Sequence, residues 1–549
     1  MATNGSTKLR LLITLGVVGL FGIITFALVA AILGTLNKRL GAVDGKLLAI
    51  AARSLATLST VITTTPNHNL SLVTSINVTD VLKHLHELQS IADRANGTRA
   101  INTRGFNETL QYIKYTLSRK TNFTIIEDSF PVRDFALNSE PVFISSVNGT
   151  IKTYTFSLDL TEADFLYAKY STGSNITDIN YVSVIPNGGC NETDWRNVTP
   201  GRIALIKKEG DCSSRQRISR AIKYNATGIL FYNNGRSSDD LAPIKITLSQ
   251  DNILPVLFLS HKVGQDLVDA ILNQPSNVTV QLGIDVKSLP AFPVGNICAH
   301  TSSGNATQTI LVGSHADSVP EGPGINDNGS GVAANLALAI ALAELYNTTV
   351  YPKYKYRIRF CWWGAEEVGY LGSSYHVRKA KNATAAGERL VDYLINLNYD
   401  MIASPNFIFG VYHNQTARKG IPSKAIHGID KVSDLFREWF DAQNLPWTAT
   451  NLDGRTDYRP FLAEGIVVGG LFSGAEDVKT VEERNRYDHF LGQGMGGLAD
   501  SVCDPCYHKA CDSVQNVNIF ALDKMVHAAA YVLEKLGEES DLQGWLYPN

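Results

Sequence analysis

Apolar residues change their spacing several times along the chain, and each change predicts a different kind of structure. Residues 78–95 repeat apolar positions at helical spacing, with Thr79 or Asp80 placed to cap the amino end. Residues 103–117 predict a second helix and residues 123–132 a strand. Beyond residue 148 the pattern shifts to short apolar runs divided by turns, at 181–185, 202–207, 228–232 and 256–259, which predicts a strand-rich insert. From residue 290 onward strands and helices alternate. Runs at 311–315, 356–363 and 394–401 read as strands, 330–345 as a buried helix rich in Ala and Leu, 431–444 as an amphipathic helix and 520–536 as a terminal one. Such alternation predicts an α/β domain with helices on both faces of a sheet, a three-layer α/β/α arrangement.

One apolar run is longer than all of these. Residues 11–36 carry no charge and are flanked by Lys8 and Arg10 before and Lys38 and Arg39 after. A secretory apolar core runs roughly 7–15 residues, whereas about 20 are needed to span a bilayer. The run therefore predicts an uncleaved transmembrane signal anchor, with a cytoplasmic tail at 1–10 and a stalk at 37–75. Its basic flanks are nearly balanced and leave the orientation open. Sixteen Asn-x-Ser/Thr sequons between Asn69 and Asn414 point to an extracellular or lumenal body. The expectation is a single-pass type II membrane protein, with secretion after signal cleavage as the alternative. At 549 residues the chain is too long for one core. With a net charge of −3 and 18% charged residues, nothing in the composition suggests a nucleic-acid partner.

Candidate chemistry sits where the predicted strands end. Residues 311–331 read LVGSHADSVPEGPGINDNGSG, so a strand ends in His315, a Gly/Pro-rich loop follows, and Asp327 precedes the buried helix. One imidazole and one carboxylate at the carboxyl end of a strand suit a metal. Asp317 is placed to accept the other ring N–H of His315 and so fix its tautomer. The strand 356–363 leads into Glu366 and Glu367, adjacent carboxylates that repel unless each has its own task, one on a metal and one on a moving proton. Asp400 ends another strand, and His508 lies between Cys506 and Cys511.

The segments HADS, PGINDNGSG, WGAEEVGYLGS, NYDMIASPN, GRTDYRPF, GGLFSGAE and PCYHKACD, taken in this order, resemble the M28 family of di-zinc aminopeptidases. The resemblance implies a mixed sheet and two Zn²⁺ ions per chain. One ion would take His315, Asp327 and Asp400, the other Asp327, Glu367 and His508, with Asp327 as the bridge. It implies Glu366 as general base, Tyr507 as hydrogen-bond donor to the tetrahedral intermediate, and a cis peptide after Asp327. Arg455 and Asp457 fall in a loop that the resemblance places at the substrate pocket, and Asp400 with Glu366 would receive a free α-amino group. The stretch GRIALIKKEGDCSSRQRISRAIKYNATGILFYNN resembles a protease-associated (PA) domain, acting as a lid, a substrate-selecting wall or a stabilising insert. The expected division is 76–147 and 289–549 for the peptidase domain and 148–288 for a mostly β PA insert.

Seven cysteines in an exoplasmic body invite pairing. Cys190 with Cys212 is a reasonable bridge within the insert, and the resemblance supports Cys506 with Cys511. Cys298, Cys361 and Cys503 then remain, with at least one free, and Cys361 reads most simply as a small buried hydrophobe. The expected activity is hydrolysis of an N-terminal residue, apolar by expectation, from peptides with free amino termini. Alternatives are a catalytically silent binding ectodomain on the same fold and a glutamate-carboxypeptidase-like exopeptidase. Retention of Glu366 and of every ligand speaks against the first. The short stretch after His508, without a helical dimerisation domain, speaks against the second.

Overall fold

The computed structural model describes residues 70–548, apart from positions 197, 211, 237–239, 251, 275–276 and 414–420. The expected tail, the anchor at 11–36 and the stalk as far as residue 69 lie outside the described residues. From Leu72 the chain is already packed on the body: the Leu72 side chain is fully buried and its N–H donates to the Glu534 carboxylate at 2.7 Å. The helix Val78–Asp93 follows, and Asn77 caps it by accepting the Thr79 N–H, two positions before the expected Thr79 and three before Asp80. Thr103 caps the next helix, Arg104–Lys120.

Among the described residues, sixteen strands build two large sheets. They are β1 (Thr124–Arg133), β2 (Val142–Val147), β3 (Thr150–Thr153), β4 (Phe165–Tyr167), β5 (Asn180–Ile185), β6 (Ile203–Lys207), β7 (Gly228–Tyr232), β8 (Val256–Leu259), β9 (Val278–Gly283), β10 (Ala291–His300), β11 (Asn305–His315), β12 (Tyr356–Trp363), β13 (Tyr393–Tyr399), β14 (Gly410–His413), β15 (Thr448–Asn451) and β16 (Val467–Phe472). The first sheet has the order β1-β10-β12-β11-β13-β16-β14-β15 and the second β3-β2-β9-β5-β6-β7-β8-β4.

In the first sheet β12, β11, β13 and β16 run parallel, while β10 and β14 pair antiparallel at the two flanks, so the sheet is mixed. Every residue of β12 and β13 is buried, which requires packing on both faces and explains their largely apolar character, interrupted by Arg357 and Arg359 in β12 and by Asn396 and Asn398 in β13. The helix Gly331–Tyr346 fills much of that cover. It is apolar all round, and with the preceding turn the stretch Ile325–Tyr346 is long enough to cross a membrane, but it is buried within the body and serves as a core helix. The amphipathic helix expected at 431–444 starts earlier, spanning Ser423–Ala442, and the terminal helix is Ile519–Glu538.

The second sheet holds every strand from β2 to β9. Val142–Val147 belongs to it, because β2 pairs along its whole length with β9, so this sheet begins before the expected boundary at 148. Its centre, β5 to β8, is parallel, and the helices Ser214–Lys223 and His261–Asn273 pack there.

Three disulfides are present: Cys190–Cys212, Cys506–Cys511 and Cys298–Cys361. The last corrects the reading of Cys361 as an unpaired hydrophobe. β10 and β12 are antiparallel neighbours, and their register sets Cys298 directly opposite Cys361. Cys503 is free and buried. The Cys298–Cys361 bridge closes a loop across a sequence separation of 63. Replacing both residues by alanine is expected to lower unfolding stability by about 2–4 kcal/mol; an unchanged denaturant midpoint would contradict a stabilising bridge.

Candidate metal centre

Parallel strands end on the same edge of a sheet, and the site is assembled there. β11 ends in His315, β12 runs through Gly364 and Ala365 to Glu366 and Glu367, and β13 is followed by Asp400. Asp327 arrives from an irregular turn, Ile325–Ser330, that leads into the core helix, and His508 from the loop closed by Cys506 and Cys511. Ala365, Met401 and His508 all have φ between 51° and 61°, a region side chains seldom adopt, so strain gathers at the residues that aim the ligands. A side chain at Gly364 would meet the Gly295 carbonyl at 2.5 Å, which reserves that position for glycine. The Asp327–Asn328 peptide is cis, as the family resemblance implied.

Asp327 faces two histidines. Its Oδ1 lies 3.3 Å from His315 Nε2, and its Oδ2 lies 3.1 Å from His508 Nε2. His315 Nε2 is also 3.4 Å from Asp400 Oδ1, and His508 Nε2 is 3.1 Å from Glu367 Oε2. Two triads thus share one carboxylate: His315, Asp327 and Asp400, and Asp327, Glu367 and His508. Ligands bonded at about 2.0–2.2 Å to a tetrahedral zinc stand roughly 3.3–3.6 Å apart, close to these separations. Asp400 Oδ1 and Glu367 Oε1 are shielded from water and have no hydrogen-bond partner among the described residues, so the donor set fits cations.

Charge points the same way. Burial opposes ionisation of Asp327, yet His315 and His508 hold its carboxyl well below the usual range. Burial, with the Asp327 charge beside it, raises Glu367 to about 7. Glu366 is pushed well above the ordinary carboxylate range, chiefly by burial against the pull of His315, with Asp457, Glu367 and Asp400 adding to the rise. Asp457 is fully buried and raised to about 7, again chiefly by burial. So many carboxylates in one enclosed place are tolerated only with positive charge among them.

The support beneath the ligands differs in part from expectation. His315 Nδ1 lies 3.0 Å from the backbone carbonyl of Asp317, whereas the carboxylate is 3.8 Å away, so the carbonyl fixes the tautomer. The Asp317 carboxylate accepts the backbone N–H groups of Glu366 at 3.1 Å and Glu367 at 3.3 Å, donors that burial would otherwise leave without partners. Asp400 Oδ2 accepts from Thr456 Oγ1.

Two further supports were not foreseen. Asp512 accepts the N–H of Asn326 at 2.8 Å and of Asp327 at 2.9 Å, holding the turn of the shared carboxylate. It closes the quoted motif PCYHKACD, directly after Cys511, and that adjacency was the available signal. Arg99 is fully buried and donates to the carbonyls of Ala316, Pro323 and Gly324, so its guanidinium ties both ends of the loop between His315 and Asp327. No local pattern distinguishes Arg99 from a surface arginine. Asn328, the fourth residue of the turn, is fully buried, so its sequon is closed to a glycan in the folded chain.

A cavity of about 80 Å³ opens on these groups. Met401, Tyr412 and Phe472 give it apolar wall, and Arg455 and Tyr507 reach it as well. The Tyr507 ring stacks on His508 with centroids 3.8 Å apart, and Arg455 pairs with Glu476 at 2.5 Å.

Residues 296–533 match the model of peptidase family M28, and residues 177–267 match the PA domain. An aminopeptidase of Pseudomonas aeruginosa is 32% identical, with 84% of this chain aligned to 81% of that one. A probable leucine aminopeptidase 2 of Aspergillus fumigatus is 30% identical over 82% of each chain. Among solved structures, an aminopeptidase from Aneurinibacillus sp. strain AM-1 superposes with a TM-score of 0.58 at 20% identity, covering 84% of this chain and 94% of that one.

Because Asp512 holds the Asp327 turn and touches no ligand side chain, Asp512→Ala is expected to fold and to bind zinc about 10–100-fold more weakly. Competition with a chromogenic chelator measures this, and unaltered zinc affinity would contradict the assigned role.

Proposed function

The chain belongs to peptidase family M28 and is a metallo-aminopeptidase carrying a PA domain, and we propose that it releases N-terminal residues at a pair of zinc ions. His315, Asp327 and Asp400 would hold one ion and Asp327, Glu367 and His508 the other. The observation that carries this reading is Asp327, with one oxygen turned to each histidine. When bound, such a pair supplies a water of lowered pKa and polarises the scissile carbonyl.

The chain's own residues do the rest. Glu366 lies in the same cavity without a histidine of its own, and its raised proton affinity suits it to take the water's proton and pass it to the departing amine. Tyr507 is placed to donate its hydroxyl hydrogen to the carbonyl oxygen as negative charge gathers there. A substrate ammonium finds counter-charge in Asp400 and Glu366, which is why a free amino terminus is required. Met401, Tyr412 and Phe472 favour an apolar first side chain, in keeping with the leucine aminopeptidase name of the fungal relative. Arg455, held by Glu476, borders the same pocket.

Three disulfides accord with an extracellular or secreted body. The apolar run at 11–36 supports anchorage in a membrane, and full recovery of the native protein in the aqueous fraction after cell disruption would contradict it.

Glu366→Gln is expected to retain zinc and lose about 10²–10⁴-fold in kcat. A near-normal rate would show that another group carries the proton. Wild type is expected to cleave Leu-Gly-Gly and to leave its N-acetylated form intact; equal cleavage of both would remove the aminopeptidase reading.

A further inference from the structure

Glu367 and His508 also border a second cavity, which Asp400 and Tyr412 do not line, and it is much larger, about 730 Å³. Its floor comes from the catalytic body, through Asp317 and residues 318–321, and its far wall from the insert, through Tyr167, Lys169 and the segment Lys245–Thr247. That wall is built rather than draped. Lys169 N–H donates to the Ile246 carbonyl at 2.9 Å, and Leu248 N–H donates back to the Lys169 carbonyl at 3.0 Å, so the two basic residues ride on paired backbone. Lys169 is half-buried and its ammonium stands 5.7 Å from the Tyr170 ring centroid. Asp134 and Glu321 act on Lys169 from a distance, yet among the described residues no carboxylate is in ion-pair contact with its ammonium or with that of Lys245. Burial pulls the Lys169 pKa down, the mark of a cation short of solvation and without a close partner.

The two cavities together are polar in a directional sense. On the reading given above, the substrate ammonium sits by Asp400 and Glu366, so the peptide beyond the cleaved bond passes Glu367 and His508 into the larger cavity. There it meets Lys169 and Lys245, in a lining that also carries the carboxylates of Asp134 and Glu321. We propose that these two lysines of the PA insert bind a carboxylate on the leaving side of the substrate, the terminal carboxylate of a short peptide, and so make the insert a specificity element for short peptides with free carboxyl ends. A zwitterion with its positive end at the acidic pocket and its negative end at the insert matches both walls.

The inference rests on the aminopeptidase reading, and the test separates the two. kcat/KM is measured for Leu-Gly-Gly and its carboxyl amide with the zinc-loaded wild type and with Lys169→Met/Lys245→Met. Wild type is expected to favour the free acid by about tenfold, chiefly through KM, and the double variant to bring the ratio close to one. A merely structural role for the lysines would change both peptides alike and leave the ratio intact, which would overturn the proposal. Equal wild-type cleavage of acid and amide would also overturn it while leaving the aminopeptidase reading standing; cleavage of neither would end both. A second pair, Leu-Gly-Glu amide and Leu-Gly-Gln amide, distinguishes the sources. Lysine-dependent preference confined to this pair would overturn the terminal carboxylate as the ligand in favour of an acidic side chain.

Discussion

Enclosing negative charge is the constraint around which this molecule is arranged. Asp317, Asp327, Glu366, Asp400 and Asp457 are buried at one edge of the sheet, and the Glu367 side chain is nearly so. The buried cation near them, Arg99, directs its guanidinium to three loop carbonyls and relieves the charge only from a distance. Leaving such groups ionised without counter-charge costs several kcal/mol each, and protonating them would forfeit their use as ligands. Divalent cations would resolve the conflict, and the two triads about Asp327 offer the donors to hold them.

The sheet makes the convergence possible. Because β12, β11, β13 and β16 are parallel, His315, Glu366 with Glu367, and Asp400 emerge on one edge although they lie far apart in sequence. Each is then fixed by hydrogen bonds from neighbouring groups. Asp317 grips the turn of Glu366 and Glu367, Asp512 grips that of Asp327, and Thr456 holds Asp400. The second sheet contributes none of these ligands; residues beside it, Lys169 and Lys245 among them, line the larger cavity.

Legibility followed locality. The ligands and Glu366 lie in short segments whose glycines, strand ends and acidic pairs carry meaning in place, and the strand and helix pattern from residue 290 onward was readable for the same reason. What depended on chain segments meeting was not. Cys361 read as a lone hydrophobe because its partner is fixed by the register of β10 on β12. Arg99 lies more than two hundred residues from the loop it ties together, and nothing near it marks it as buried. Asp317 was placed correctly but given the wrong task, since its carbonyl and carboxylate both lie near His315 and only the fold shows which is closer. Asn77 displaced Thr79 and Asp80 as cap because one turn offers several side chains of similar capping strength.

X-ray data recorded on both sides of the zinc absorption edge, from crystals of the zinc-loaded protein, test the central claim most directly. Two anomalous peaks roughly 3.5–4 Å apart, each in contact with a different oxygen of Asp327, are the expected result. A single peak, or two peaks not joined through Asp327, would contradict it.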